Sequence, residues 1–109
     1  MPNEIPEEIF RLQADFCKSL ASPKRLMIIH ELQEGPKSVS ELAKNLRLGQ
    51  SPTSQLLAVL RKSGVITPER QGNTVYYSLT NPRIITTCEN VRAIIIEDLK
   101  RLSQLGETL

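Results

Sequence analysis

The run Ser38–Gly64, SVSELAKNLRLGQSPTSQLLAVLRKSG, constrains this chain more than any other stretch, because it carries two helix-start signals close together. Ser38, with Glu41 three residues on, has the capping-box spacing: the hydroxyl accepts from a backbone N–H and the carboxylate reaches back to another. Leu42, Ala43 and Leu46 then share one helical face, so a helix is predicted from Ser38 to about Leu46. Ser51-Pro52 is the second signal, an N-cap side chain followed by a residue with no N–H to lose and a preset φ. Leu56, Leu57 and Leu60, with Val59 beside them, give this second helix an apolar face, and Gly64 ends it after about Ser63. Its first turn leaves Ser51, Thr53, Ser54 and Gln55 for the outside, and its last turn Arg61 and Lys62. Hydroxyls and amides at a helix N-terminus suit base edges and phosphates, and a second helix after a short turn is the one that enters a major groove. An ordinary helical hairpin with a solvated face fits this stretch equally well.

The segment just beyond the second helix tips the balance. In VITPERQGNTVYYSLT, Val65 to Thr80, the period changes to two: Val75, Tyr77 and Leu79 alternate with Thr74, Tyr76 and Ser78, as in a strand with one buried face. Gly72-Asn73 is a hairpin turn pair, and Pro68 marks the outgoing arm as an edge strand or an irregular one. A hairpin directly after a groove-reading helix is a wing, with Arg70 at its base and Asn73 at its tip placed for phosphates or an adjacent minor groove. The plainer alternative is a hairpin that only covers the core.

Together, RLMIIHELQEG, SVSELAKNL, QSPTSQLLAVLRKSGVI and ERQGNTVYYSL resemble the ArsR/SmtB family of winged-helix transcriptional repressors, over roughly Phe16 to Leu79 in continuous order. The resemblance implies a homodimer built from the first and last helices, repression through DNA binding, and release by an inducer bound elsewhere. Two common metal sites of that family are missing. Ser38, Val39 and Ser40 stand at the positions of a Cys-x-Cys pair, and a serine does not replace a soft thiolate. The last helix has Asn90, Arg92, Glu97 and Asp98 but no histidine. Leu56 stands where relatives often have a polar or histidine side chain, which shifts base reading to Ser51, Thr53, Ser54 and Gln55. Arg47 stands in the turn where glycine is usual: either the turn differs slightly or Arg47 is left-handed at some cost.

The rest of the chain fits this frame. At 109 residues it is expected to be a single domain, residues 1–109. A formal net charge of +2 does not announce nucleic acid, but Lys37, Lys44, Arg47, Arg61, Lys62 and Arg70 cluster in the central segment, whereas Glu4, Glu7, Glu8 and Asp15 make the N-terminal segment acidic. With no apolar run of membrane length and no signal peptide, the expected location is the cytoplasm, without membrane partners. A first helix is predicted from Pro6 to about Leu20, with Ile9, Leu12, Phe16 and Leu20 on one face. A second runs from Ser22-Pro23 to about Glu34, with Leu26, Ile29 and Leu32 inward and Gly35-Pro36 ending it. The last starts at Asn81-Pro82 and runs towards Leu105. Its apolar seam of Ile84 or Ile85, Cys88, Val91, Ile95, Leu99 and Leu102, widened by Ile94 and Ile96, exceeds what one subunit covers.

The expected fold is therefore mostly α with a β-hairpin wing, an α+β winged helix-turn-helix of five helices in the order α1-α2-α3-α4-wing-α5. The expected function is a homodimeric repressor on an inverted-repeat DNA operator. Ser51, Thr53, Ser54 and Gln55 are assigned to the groove, and Lys44, Arg61, Lys62, Arg70 and Asn73 to phosphates or the minor groove. No cofactor and no metal site are expected: His30 stands alone, without a second ligand one turn away. No nucleophile–base pair, paired carboxylates or glycine-rich phosphate loop suggests an enzyme. The inducer is not legible. Cys17 and Cys88 fall on the two helices of the expected interface, where a thiol pair would sense oxidants, reactive sulfur or a thiophilic species. Both also fall on or beside apolar stripes, as small buried hydrophobes do. A repressor without thiol sensing and a winged helix that binds protein rather than DNA are the competing readings.

Overall fold

The computed structural model describes residues 4–108. Five helices, α1 (Glu7–Ser19), α2 (Pro23–Leu32), α3 (Val39–Leu46), α4 (Gln50–Lys62) and α5 (Arg83–Thr108), surround a small antiparallel sheet of β1 (Lys37–Ser38), β2 (Ile66–Gln71) and β3 (Thr74–Leu79). The strand order is β1-β3-β2, so β2, which carries Pro68, is an edge as expected. The hairpin closes on Gly72-Asn73, with Gln71 opposite Thr74 and Gly72 at φ 63°. The short strand β1 is the one element the sequence does not announce. It pairs Lys37 with Tyr77 and Ser38 with Tyr76, a contact too short to leave any periodicity.

Local chemistry fixes the helix pair. Ser38 caps α3 reciprocally: its hydroxyl accepts from the Glu41 N–H at 3.2 Å, and the Glu41 carboxylate accepts from the Ser38 N–H at 3.1 Å. The Arg47 N–H donates to the Lys44 carbonyl and the Leu48 N–H to that of Ala43, the paired bonds of a Schellman ending. Arg47 takes the left-handed conformation that ending requires, φ 57° and ψ 45°. It is the one non-glycine at positive φ among the described residues. Arg47→Gly is therefore expected to stabilise the fold by about 1 kcal/mol, seen as a higher midpoint in urea unfolding. The same motif ends α4, with Gly64 at φ 81° and the Val65 N–H donating to the Leu60 carbonyl at 2.9 Å.

Two expected boundaries move. Helix α4 starts at Gln50 with Gly49 as N-cap, so Ser51 and Pro52 lie inside its first turn. The first N–H groups of a helix have no partner within it, so proline is tolerated at any of these positions and does not mark a unique start. At α2 the same signal holds as expected, with the Ser22 hydroxyl accepting from the Arg25 N–H. That helix stops at Leu32, short of Glu34, and its buried residues are Ile28, Ile29 and Leu32 rather than Leu26. The side facing α3, α4 and β3 takes these three. Leu26 falls on the flank and lines an open crevice with Met27, His30, Glu31 and Arg92.

The core joins α2, α3, α4, the base of β2 and the start of α5: Ile28, Ile29, Leu32, Leu42, Leu46, Leu57, Leu60, Val65, Ile66 and Ile84. Lys37 is tied at its edge. Its ammonium lies 2.8 Å from Glu31 and 2.9 Å from Glu34, and the Asn45 amide also donates to Glu31. The Lys37 hydrogen bond holds the Glu31 carboxyl below the usual carboxylate range, and the two glutamates hold the Lys37 ammonium above the ordinary lysine range. The stabilisation is thus present above the ordinary glutamate value, about 4.3, and is lost as pH falls towards the lowered one. At the basic end it is lost as pH rises through the raised lysine value. Glu31→Gln is expected to flatten the acid limb of stability against pH, measured as urea midpoints across a pH series.

Candidate nucleic-acid interface

Helix α4 divides cleanly. Thr53, Leu57 and Leu60 are buried and Leu56 is half-buried, while Gln50, Ser51, Ser54, Gln55, Ala58, Arg61 and Lys62 are exposed at helical spacing. Of the four expected groove residues, Ser51, Ser54 and Gln55 lie on this outer face. Thr53 does not. It is fully buried, and its hydroxyl donates to the Gly49 carbonyl at 2.9 Å, which satisfies the group inside the fold and removes it from base contact.

The outer face has two flanks. Ser54, Arg61 and Lys62 line a shallow crevice with Leu57, Ala58 and Tyr77, between α4 and the wing. Gln55 lines another, with Lys24, Arg25, Leu48, Pro52, Leu56 and Val59, between α4 and α2. Tyr77 escapes the sequence reading because strand alternation assigns it to the buried side; all of Val75–Leu79 are in fact half-buried. Asn73 is exposed at the tip of the wing as expected. Arg70 is also exposed but does not lie at the base: it stands opposite Val75, one pair from the turn, where its guanidinium donates to the Gly72 carbonyl at 3.3 Å. Lys44 is exposed on α3. Among the described residues none of Lys44, Arg61, Lys62 and Arg70 is in an ion pair, in contrast to Lys37, which is committed to Glu31 and Glu34 and leaves the basic set. Gln50 is a second residue that the sequence reading misses. Placing the helix start at Gly49 would find it, since it is then the first residue of the helix. Its amide N–H donates to the Ser40 hydroxyl on α3 at 2.6 Å.

Helices α5 and α1 expose much apolar surface. Val91, Ile94, Ile95, Ile96, Leu99, Leu102 and Leu105 of α5 are exposed, as are Ile9, Phe10 and Leu12 of α1. Ile94, at 65% exposure, and Leu99, at 60%, are among the most exposed large hydrophobics, and the patch is continuous along the helix. Cys17 is exposed on α1; Cys88 is half-buried on α5, and burial pushes its thiol up from the ordinary range against the opposing charge of Arg92. Ser38 is buried and occupied in capping. Among the described residues no three His, Cys, Asp or Glu side chains gather as a metal site, and no helix is long and apolar enough to cross a membrane.

A helix pair with a capped first helix that buries one face, a second helix with an outward polar face and a hairpin beside it defines the winged helix-turn-helix class. The family described as bacterial regulatory protein, arsR family, matches residues 22–67. The HTH-type transcriptional regulator Rv0081 of Mycobacterium tuberculosis, itself named as uncharacterized, is 34% identical over 105 residues, covering 86% of this chain and 92% of that one. Its crystal structure matches with a TM-score of 0.76 at 36% identity, over 89% of this chain and 96% of that one. The biofilm growth-associated repressor of Xylella fastidiosa is 40% identical over 83 residues, covering 76% of this chain and 73% of the relative. A solution structure from Mycobacterium bovis, described as a homodimeric winged helix-turn-helix DNA-binding domain, shares the fold at a TM-score of 0.77 and 23% identity, over 84% of each chain. The chain belongs to the arsR family of bacterial regulatory proteins.

Proposed function

We propose that this protein is a sequence-specific DNA-binding repressor that acts in the cytoplasm as a homodimer on an inverted-repeat operator. The observation that carries this reading is the outer face of α4, where hydroxyls, amides and two unpaired cations lie on one solvent-facing arc beside a wing. In this reading the first turn of α4 enters the major groove. Ser51, Ser54 and Gln55 meet base edges, Lys44, Arg61 and Lys62 hold phosphates, and Arg70 and Asn73 reach the backbone or the neighbouring minor groove. The apolar stripes of α5 and α1 pair with those of a second copy, which sets two α4 helices about 34 Å apart, one turn of duplex. The names of the relatives as regulators and repressors support the assignment.

Release through Cys17 and Cys88 is the proposed input. Exposed Cys17 is the entry point for an oxidant or reactive sulfur species, and Cys88, half-buried with its thiol pushed up by burial, is the less accessible partner. The test is a gel shift on the DNA upstream of the protein's own gene, fully reduced and again after mild oxidant or polysulfide. Binding only when reduced supports the thiol route; equal binding in both states rejects it and leaves a repressor without thiol sensing. Affinity falling log-linearly with salt supports DNA binding over a protein-interaction module, and absence of selective binding across a wide DNA screen rejects it. Arg61→Ala is expected to weaken binding to all sequences and to flatten the salt slope by about two per dimer, one phosphate contact per subunit. Gln55→Ala is expected to keep the slope and to lose roughly 1–3 kcal/mol of discrimination at one base position.

A further inference from the structure

We propose that Ser40 is a positioning residue that holds Gln50 for base reading, and that the pair selects adenine; this rests on the DNA-binding reading above. The observation is the 2.6 Å hydrogen bond from the Gln50 amide to the Ser40 hydroxyl, which joins the first residue of α4 to the first turn of α3. Both side chains are exposed, so the bond is not needed to satisfy a buried group. Its effect is on freedom: a glutamine side chain has several torsions, and the hydroxyl pins the end of it.

Both anchor points are rigid. Ser40 lies two residues beyond Ser38, whose side chain and N–H are both engaged with Glu41. Gln50 follows Gly49, whose carbonyl accepts both the N–H of Thr53 at 3.2 Å and its hydroxyl at 2.9 Å, and Thr53 is itself fully buried. The chemistry left over is specific. A carboxamide has two N–H donors and one carbonyl; when the N–H given to Ser40 is the one pointing away from the carbonyl, the other N–H and the carbonyl are presented side by side. That pair complements adenine, which offers N7 as acceptor and its N6 amino group as donor in the major groove. Guanine offers two acceptors there and leaves the glutamine carbonyl without a partner.

The experiment is selection from randomised duplexes by the purified full-length protein, with sequencing of the bound fraction, for the wild type, Gln50→Ala, Ser40→Ala, Ser40→Thr and the Ser40→Ala/Gln50→Ala pair. Wild type should prefer adenine at one position of each half-site, and Gln50→Ala should lower that preference roughly tenfold. Ser40→Ala should lower the preference at the same position by several-fold, leaving the other positions, the salt slope and the melting curve unchanged. Ser40→Thr, which keeps the hydroxyl, should retain it, and the double variant should match Gln50→Ala. A Ser40→Ala protein that selects as the wild type does, or that loses preference at all positions alike, overturns the positioning role. Guanine at the Gln50-dependent position overturns the adenine assignment. A wild type that selects no sequence overturns the DNA-binding reading, and this inference with it.

Discussion

Replacing Ile95 and Leu99 together by glutamate should split the proposed dimer and abolish operator binding while leaving each subunit folded. Both side chains are more than half exposed on α5 and contribute little to the core of a single chain. In a two-fold pair each variant chain removes two apolar groups from the interface, four per dimer. Each side chain is already about half covered in its own chain, so roughly half of the 1.5–3 kcal/mol for full burial applies to each, and the dimer constant should weaken by about two to four orders of magnitude. Added carboxylates facing their own copies across the axis weaken it further. Sedimentation should report a monomer at concentrations where the wild type is a dimer, circular dichroism should report unchanged helix, and gel shifts should lose the specific band. A dimer that survives the pair of substitutions would place the interface elsewhere and reject the α5 assignment.

Leu60→Ala should have the largest effect on the fold itself. Leu60 is fully buried on α4, within the cluster formed with Ile28, Leu32, Leu42 and Leu57. Truncating such a leucine costs about 2–5 kcal/mol, through lost transfer energy and the cavity left behind. For a domain of this size the melting temperature should fall by on the order of 10 °C or more. Its neighbour Val59 is 40% exposed, so Val59→Ala should cost about 0.5 kcal/mol or less. Thermal melts of the two variants side by side test the rotational setting of α4. Comparable losses would mean that the helix is turned relative to its described register, and that the outer face assigned to DNA is wrong.

How much of this is legible in the sequence depends on whether the deciding contact is local. The α3 cap is readable because Ser38 and Glu41 satisfy each other within one turn. The hairpin is readable because Gly72-Asn73 and the flanking β-branched residues act at short range. Four features are not, each for a spatial reason. Ile28 rather than Leu26 turns inward because the neighbours of α2 choose its buried side. Lys37 reads as a basic residue near a DNA-binding helix until α2 brings Glu31 to it, beside its near neighbour in sequence, Glu34. Thr53 looks like a groove donor because it is polar, yet its hydroxyl turns back to Gly49 in a fully buried position. Gln50 escapes notice because Ser51-Pro52 is an equally valid helix start by local rules. For the candidate site, residue types are legible, and the side of the helix on which each one falls is not.

Strand β1 is only two residues long, but Ser38 belongs to two structures at once: it pairs with Tyr76 of the wing and caps α3. The hairpin and the helix pair are thereby spliced into one mechanical piece, with Lys37 clasped by α2 at the splice. The wing is not a hinged flap. In the proposed repressor, a signal reaching α5 would therefore move the hairpin and the helix pair together rather than bend one against the other. The reading helices of the proposed dimer would change their spacing and not their shape, and so would fall out of step with the helical repeat of the operator.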